Sequence, residues 1–200
     1  DAIYNDFFLS GLFKSKYPKL ALEGLEAHFP RGWQDDFDVI SSPLDWCGIN
    51  YYTRACVKSN DGPWPHYEAV TGPLPKTQMG WEVYPQGLSD FLVRTAKNYT
   101  ADLPLYITEN GMANADVFHE GQVADVARIN YFNQHLQATL EALRQGVPVK
   151  GYFAWSLLDN YEWSLGYDKR FGLVHVDFDS LERTPKQSYF ALQKALRRQA

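Results

Sequence analysis

An α/β fold built on parallel strands is predicted by three features of the 200-residue sequence. Three short apolar runs, DWCGINYYT (45–53), LPLYITEN (103–110) and VKGYFAWSLLDN (149–160), lack apolar/polar alternation. Strands covered on both faces read this way. Stretches with apolar residues every three or four positions lie between and after them. The order strand, helix, strand, helix, strand, helix is that of right-handed parallel units.

Taken in order, residues 1–30 are expected to be helical, with Ile3, Tyr4, Phe7, Phe8 and Leu12 as the packing stripe. After the first strand, residues 54–80 are rich in Pro and Gly and are expected to form a long irregular loop; since strands resume soon after it, it reads as a functional rim. Residues 87–99 place Leu88, Phe91, Leu92, Ala96 and Tyr99 on one helical face. After Gly121, the spacing of Val123, Val126, Ile129, Phe132, Leu136, Leu140 and Leu143 predicts a helix that Gly146 and Pro148 stop. Thr184 and Pro185 form an N-cap and first-turn pair for a last helix that buries Tyr189, Leu192 and Leu196. The basic tail KALRRQA reads as a helix end whose cations oppose the dipole. With no internal repeat or low-complexity tract, residues 1–200 read as one domain.

Composition narrows the function. With 45% hydrophobic and 22% charged residues, the chain is a soluble globular one able to bury a core. A net charge of −5 with scattered Lys and Arg argues against a nucleic-acid partner or an anionic membrane surface. No apolar run reaches the length of a membrane span, and DAIYNDFFLSGLF lacks the basic region of a signal peptide, so a cytoplasmic address is expected. Cys47 and Cys56 lack metal-ligand spacing and read as reduced core thiols. His66, His119 and His135 read as surface or loop residues, and neither a metal nor a cofactor is expected. The outlier is aromatic content, with 13 Tyr, 12 Phe and 6 Trp.

In parallel α/β architectures chemistry sits where strands end. Each apolar run ends in residues suited to a polyol: Asn50, Tyr51 and Tyr52; Glu109 and Asn110; Trp155 and Ser156, then Asp159 to Trp163. An ionised Glu109 suits a nucleophile or an electrostatic stabiliser. A phenol donated by Tyr52 would hold it charged and oriented. Glu162 can accept two sugar hydroxyls while the Trp163 indole covers an apolar sugar face. Structural readings stand beside these: strand-end glutamates are commonly surface or cap carboxylates, tyrosines favour strands, and Trp155 and Trp163 could pack in a core or rim.

The segments DWCGINYYT, MGWEVYPQGL, LPLYITENGMA, KGYFAWSLLDNYEWSLGYDKRFGLVHVDF and RTPKQSYFAL, in this order, resemble the C-terminal part of glycoside hydrolase family 1, the β-glucosidase family. The resemblance covers essentially the whole chain. It implies a (β/α)8 barrel, typically ~250 residues, of which this chain would hold about three strands starting with the sixth. Such a barrel is not closed by this chain alone. The resemblance implies retaining hydrolysis of terminal β-D-glycosides, with Glu109 as nucleophile, Tyr52 bonded to it and Asn50 lining the same subsite. Trp155 becomes the floor of the glycone subsite, Glu162 and Trp163 bind outer sugar hydroxyls, Phe171 packs nearby, and Trp81 matches the aglycone wall. Glu162 favours an unphosphorylated glycone.

The family's second glutamate, the acid/base in an Asn-Glu-Pro motif, has no counterpart here, because no Asn-Glu-Pro occurs in the sequence. Retaining enzymes hold their two carboxyls only ~5 to 5.5 Å apart. The isolated chain is therefore expected to be inactive and to need a complementary N-terminal barrel half. Open sheet edges and an uncovered apolar face predict that half or self-association. The alternative is a non-catalytic sugar-binding or assembly module derived from the same fold.

Overall fold

A computed structural model describes residues 1–197. The N-terminal segment is helical in pieces, because Pro18 and Pro30 interrupt it: α1 (Asp6–Lys14), α2 (Lys19–Leu25) and the short α3 (Phe37–Ile40). Asp6 in the first turn of α1 and Lys14 in the last both complement its dipole. The buried stripe differs from the expected one. Leu9, Ser10 and Gly11 are covered while Tyr4 and Phe8 are exposed. Phe7 leads into an aromatic cluster instead, stacked on Tyr17 at 4.1 Å, and Tyr17 meets Trp33 and Phe37.

Strand β1 (Cys47–Asn50) is shorter than the apolar run suggests, since Tyr51 and Tyr52 leave the ladder. The stretch 54–80 is not wholly irregular. It contains an antiparallel hairpin, β2 (Val57–Ser59) and β3 (Tyr67–Ala69), which lies largely in solvent and so carries no buried/exposed alternation. Helix α4 (Pro85–Thr95) starts with Pro85 at its first turn, where a missing N–H costs nothing, and runs into a π-helical turn, Ala96–Thr100. Strand β4 (Leu105–Asn110) is followed by a two-residue hairpin, β5 (Phe118–His119) and β6 (Gln122–Val123).

Helix α5 (Val126–Arg144) ends where Gly146 takes φ +85° and the Val147 N–H reaches back to the Ala142 carbonyl at 3.1 Å. Its buried face is Arg128, Tyr131, Phe132, His135, Thr139 and Ala142, whereas Val126, Leu140 and Leu143 are exposed. The aliphatic spacing misled because each polar residue of the covered face finds at least one partner. His135, expected at the surface, is 0% exposed. Its ring stacks on Tyr131 at 3.8 Å with Nδ1 2.8 Å from the Tyr131 carbonyl, and burial pulls its pKa down to about 4.

Strand β7 (Val149–Ala154) ends six residues earlier than the apolar run. A hairpin follows, β8 (Val174–Val176) and β9 (Arg183–Pro185), so Thr184 and Pro185 pair in a ladder instead of capping a helix. Helix α6 (Gln187–Arg197) packs Tyr189 and Leu192 on the core but leaves Leu196 exposed. Lys194 and Arg197 occupy its last turn; the rest of the basic tail, 198–200, lies outside the described residues.

The central sheet is parallel with order β1-β4-β7. On one face Cys47, Ile49, Leu105 and Ile107 meet Leu88 and Leu92 of α4 and Ala142 of α5. The opposite face is uncovered, with Trp46 and Phe153 exposed and the Tyr106 ring lying over Gly151. Three strands do not close, so the described residues contain no complete barrel. No helix among them is long and apolar enough to cross a membrane. Both thiols are free, Cys47 in the core as expected and Cys56 only half-buried.

Candidate active site

The ends of β1, β4 and β7 lie side by side in the sheet. Tyr52, just beyond β1, donates its phenol to Glu109 Oε2 at 2.7 Å. Burial, and then this bond to Glu109, raises the Tyr52 pKa far above the ordinary tyrosine value, so the phenol stays a donor. Asn50 accepts from the Thr108 hydroxyl at 2.7 Å. Trp155 follows β7, and its amide donates to the Asn110 carbonyl at 2.8 Å. Only a glycine fits beneath it, because a Cβ on Gly111 would lie 1.8 Å from the Trp155 carbonyl oxygen.

Glu162 is half-buried near Glu109, and burial plus repulsion by Glu109 raises its pKa. Trp163 adopts φ +45° and is 83% exposed, offering its indole face to solvent. Tyr52, Trp81 and Phe171 form an aromatic corner with centroids 5.5, 6.1 and 6.3 Å apart. Phe171 is buried, 1% exposed, and packs against Tyr52 and Trp81 without presenting a face to solvent. A wide cleft of ≈1080 Å³ opens from Asn50, Tyr52 and Trp81 past Arg54 and Tyr84. Trp81 is set by its neighbour Glu82, whose carboxylate takes the Arg54 guanidinium at 2.7 Å and the Leu74 N–H at 2.7 Å.

Two buried networks behind these residues were missed in the sequence. Asn110 donates to the Tyr51 carbonyl (2.6 Å) and to Tyr131 Oη (3.1 Å), and accepts from Tyr152 Oη. Tyr131 in turn donates to the Tyr52 carbonyl at 3.2 Å. The second network pairs Arg128, Lys186 and Arg170 with Asp116, Asp125 and Asp159. Three cations face three carboxylates, so the cluster is neutral, which lets it leave water. Burial pushes the Asp116 carboxyl up, but Arg128 and Lys186 outweigh that and hold it below the ordinary range. Asp159 anchors the loop after β7 by accepting from the Gly172 N–H at 2.9 Å and from Lys186 at 2.8 Å. The available signal was charge within apolar segments, as at Arg128 inside the α5 periodicity. Among the described residues no group of three His, Cys, Asp or Glu could hold a metal.

A parallel sheet with helices packed on one face and a phenol-bound carboxylate at a strand end has the form of a segment of a TIM barrel. A family 1 β-glucosidase from Thermotoga maritima superposes with a TM-score of 0.92 at 39% identity, over 96% of this chain and 43% of that one. The same enzyme in complex with isofagomine lactam gives 0.91 at 40% identity, over 96% of this chain and 43% of that one. The chain belongs to glycosyl hydrolase family 1, whose sequence model matches residues 1–199. Among curated relatives it is 42% identical to a 1,4-beta-D-glucan glucohydrolase of Thermotoga neapolitana, over 90% of this chain and 41% of the relative. It is 36% identical to a 6-phospho-beta-galactosidase of Leptotrichia buccalis, over 97% of this chain and 48% of that relative. The chain thus spans less than half the length of the proteins it matches.

Proposed function

We propose that residues 1–200 form one partial domain carrying the nucleophile of a retaining β-glycosidase that hydrolyses terminal, unphosphorylated β-D-glucosides or close analogues. The observation that carries this reading is the 2.7 Å bond from Tyr52 to Glu109 at the end of β4. A donated phenol holds and aims one oxygen of the carboxylate, leaving the other free for attack. Glu109 attacks the anomeric carbon and forms a glycosyl ester as the aglycone departs; water then cleaves the ester. Trp155 floors the glycone subsite, with Asn50 beside it. Glu162 and Trp163 bind the outer hydroxyls, and Trp81 walls the aglycone side. The Glu162 carboxylate repels a 6-phosphate, which sets the preference for an unphosphorylated sugar.

Protonation of the leaving group comes from a second carboxyl on a complementary N-terminal barrel half, which docks on the open face bearing Trp46 and Phe153 and on the free edges of β1 and β7. Losing that acid alone removes roughly 10²- to 10⁴-fold, so the isolated chain turns over ordinary glucosides negligibly. Two unpaired thiols fit a cytoplasmic address. A second reading is a sugar-binding or assembly module without turnover, in which self-association covers the open face bearing Trp46 and Phe153. The test mixes the chain with an N-terminal half from a relative and an activated 2-deoxy-2-fluoro-β-D-glucoside. A glycosyl adduct on Glu109, absent from Glu109→Gln, supports catalysis. A folded mixture with no adduct leaves the binding-module reading.

A further inference from the structure

Strand β4 carries one residue more at its tip than either neighbour. Against β1, Ile107 pairs with Ile49 but Glu109 pairs with the next residue, Asn50. Against β7, Ile107 pairs with Tyr152, and Asn110, three positions on, pairs with Ala154, two positions on. Leu105 and Ile107 point into the helix-covered core. Strict alternation from them would send Glu109 into that core and Asn110 to the open face. The extra residue reverses the outcome: Glu109 is half-buried against Tyr52, and Asn110 is 0% exposed.

Such a bulge leaves ladder groups unpaired and needs something to hold it. The Asn110 side chain supplies this by bonding three different elements: the Tyr51 carbonyl after β1 at 2.6 Å, Tyr131 Oη on α5 at 3.1 Å, and Tyr152 Oη on β7. Tyr131 passes the constraint on to the Tyr52 carbonyl. One amide therefore fixes both members of the Tyr52–Glu109 pair, the carboxylate through the chain and the phenol through Tyr131. An aspartate has the same shape but no N–H, so it would set an acceptor against the Tyr51 carbonyl.

We infer that Asn110 is a positioning residue: it locks the bulge in β4 and thereby turns Glu109 out of the helix-covered core and onto Tyr52. This rests on the reading of Glu109 as nucleophile and adds the device that aims it.

The test uses the chain assembled with an N-terminal half from a relative. Labelling of Glu109 by an activated 2-deoxy-2-fluoro-β-D-glucoside is followed at varied concentration, per folded protein, for wild type, Asn110→Asp, Tyr131→Phe and Tyr152→Phe. Misaiming the carboxylate lowers the saturating rate by about 10²-fold in Asn110→Asp, with the half-saturating concentration changed less than about threefold, since the sugar contacts remain. Tyr131→Phe and Tyr152→Phe, which each remove one arm, give smaller drops of the same kind and decide the matter if Asn110→Asp does not fold. Labelling of the folded variants at the wild-type rate, or a loss confined to half-saturation, overturns the inference while the nucleophile reading stands. If wild type itself is not labelled, that reading falls, and a crystal structure of Asn110→Asp decides this one: a Glu109 carboxylate still bonded to Tyr52 contradicts it, and one turned away supports it.

Discussion

Replacing Tyr52 by Phe removes one oxygen from the site and little else. The ring keeps its place in the corner with Trp81 and Phe171, at 5.5 and 6.1 Å, so the packing survives. What is lost is the 2.7 Å bond to Glu109. A hydrogen bond to a charged group contributes about 1.5–3 kcal/mol. At about 1.36 kcal/mol per tenfold in rate, formation of the glycosyl ester should slow roughly 10- to 150-fold if that bond is fully used in the transition state. The assay is the saturating rate of 2-deoxy-2-fluoro-β-D-glucoside labelling in the assembled protein, with urea unfolding run in parallel. Stability should fall by no more than about 3 kcal/mol, because only this bond is lost and the buried area is kept. A labelling rate within about threefold of wild type would show that Tyr52 does not support the reacting carboxylate.

Lys186→Met leaves Asp116 and Asp159 facing each other without their shared cation, so urea unfolding should show a loss of about 3–5 kcal/mol; a loss under about 1 kcal/mol contradicts the buried network. His135 is neutral when folded, with a pKa of about 4 against about 6.5 unfolded. Because the folded value is depressed, its contribution is present above about pH 6.5 and is lost as pH falls toward 4, at up to about 1.4 kcal/mol per pH unit. Urea midpoints of His135→Phe should lack that component, and identical pH dependence in both proteins would refute it. Gly111→Ala must displace Trp155, so unfolding should register an overpacking cost of about 1–3 kcal/mol together with weaker glycone binding in titration calorimetry; unchanged values would contradict the contact.

The three strands of the sheet were readable because parallel strands buried on the helix side leave short continuous apolar runs. The same runs overestimated strand length: Tyr51 and Tyr52 keep strand-like character yet leave the ladder to reach Glu109 and the Tyr84 carbonyl. Helix α5 was legible as a helix but not in its orientation. Aliphatic spacing put Leu140 and Leu143 inside, whereas charge pairing buries Arg128, and a backbone contact holds the stacked His135. Apolarity does not reveal a polar residue whose partners lie far along the chain, as Asp116 and Arg170 lie 12 and 42 positions from Arg128 and Asp116 lies 70 from Lys186. Short solvent-exposed hairpins such as β2 and β3 leave no burial pattern to read. The site residues were legible as polar strand ends, but the bulge that turns Glu109 outward breaks the alternation on which such reading depends.

Glu109, on the proposed function, is the group that attacks the sugar within a site finished by another part of the barrel. Removing its carboxylate with Glu109→Ala, in the assembly with an N-terminal half, opens the face from which it attacks. Azide added with an aryl β-D-glucoside should then restore turnover and yield the α-configured glucosyl azide, identified by NMR. No rescue, or a β-configured azide, would contradict the claim, since a β product marks the vacated group as the acid/base.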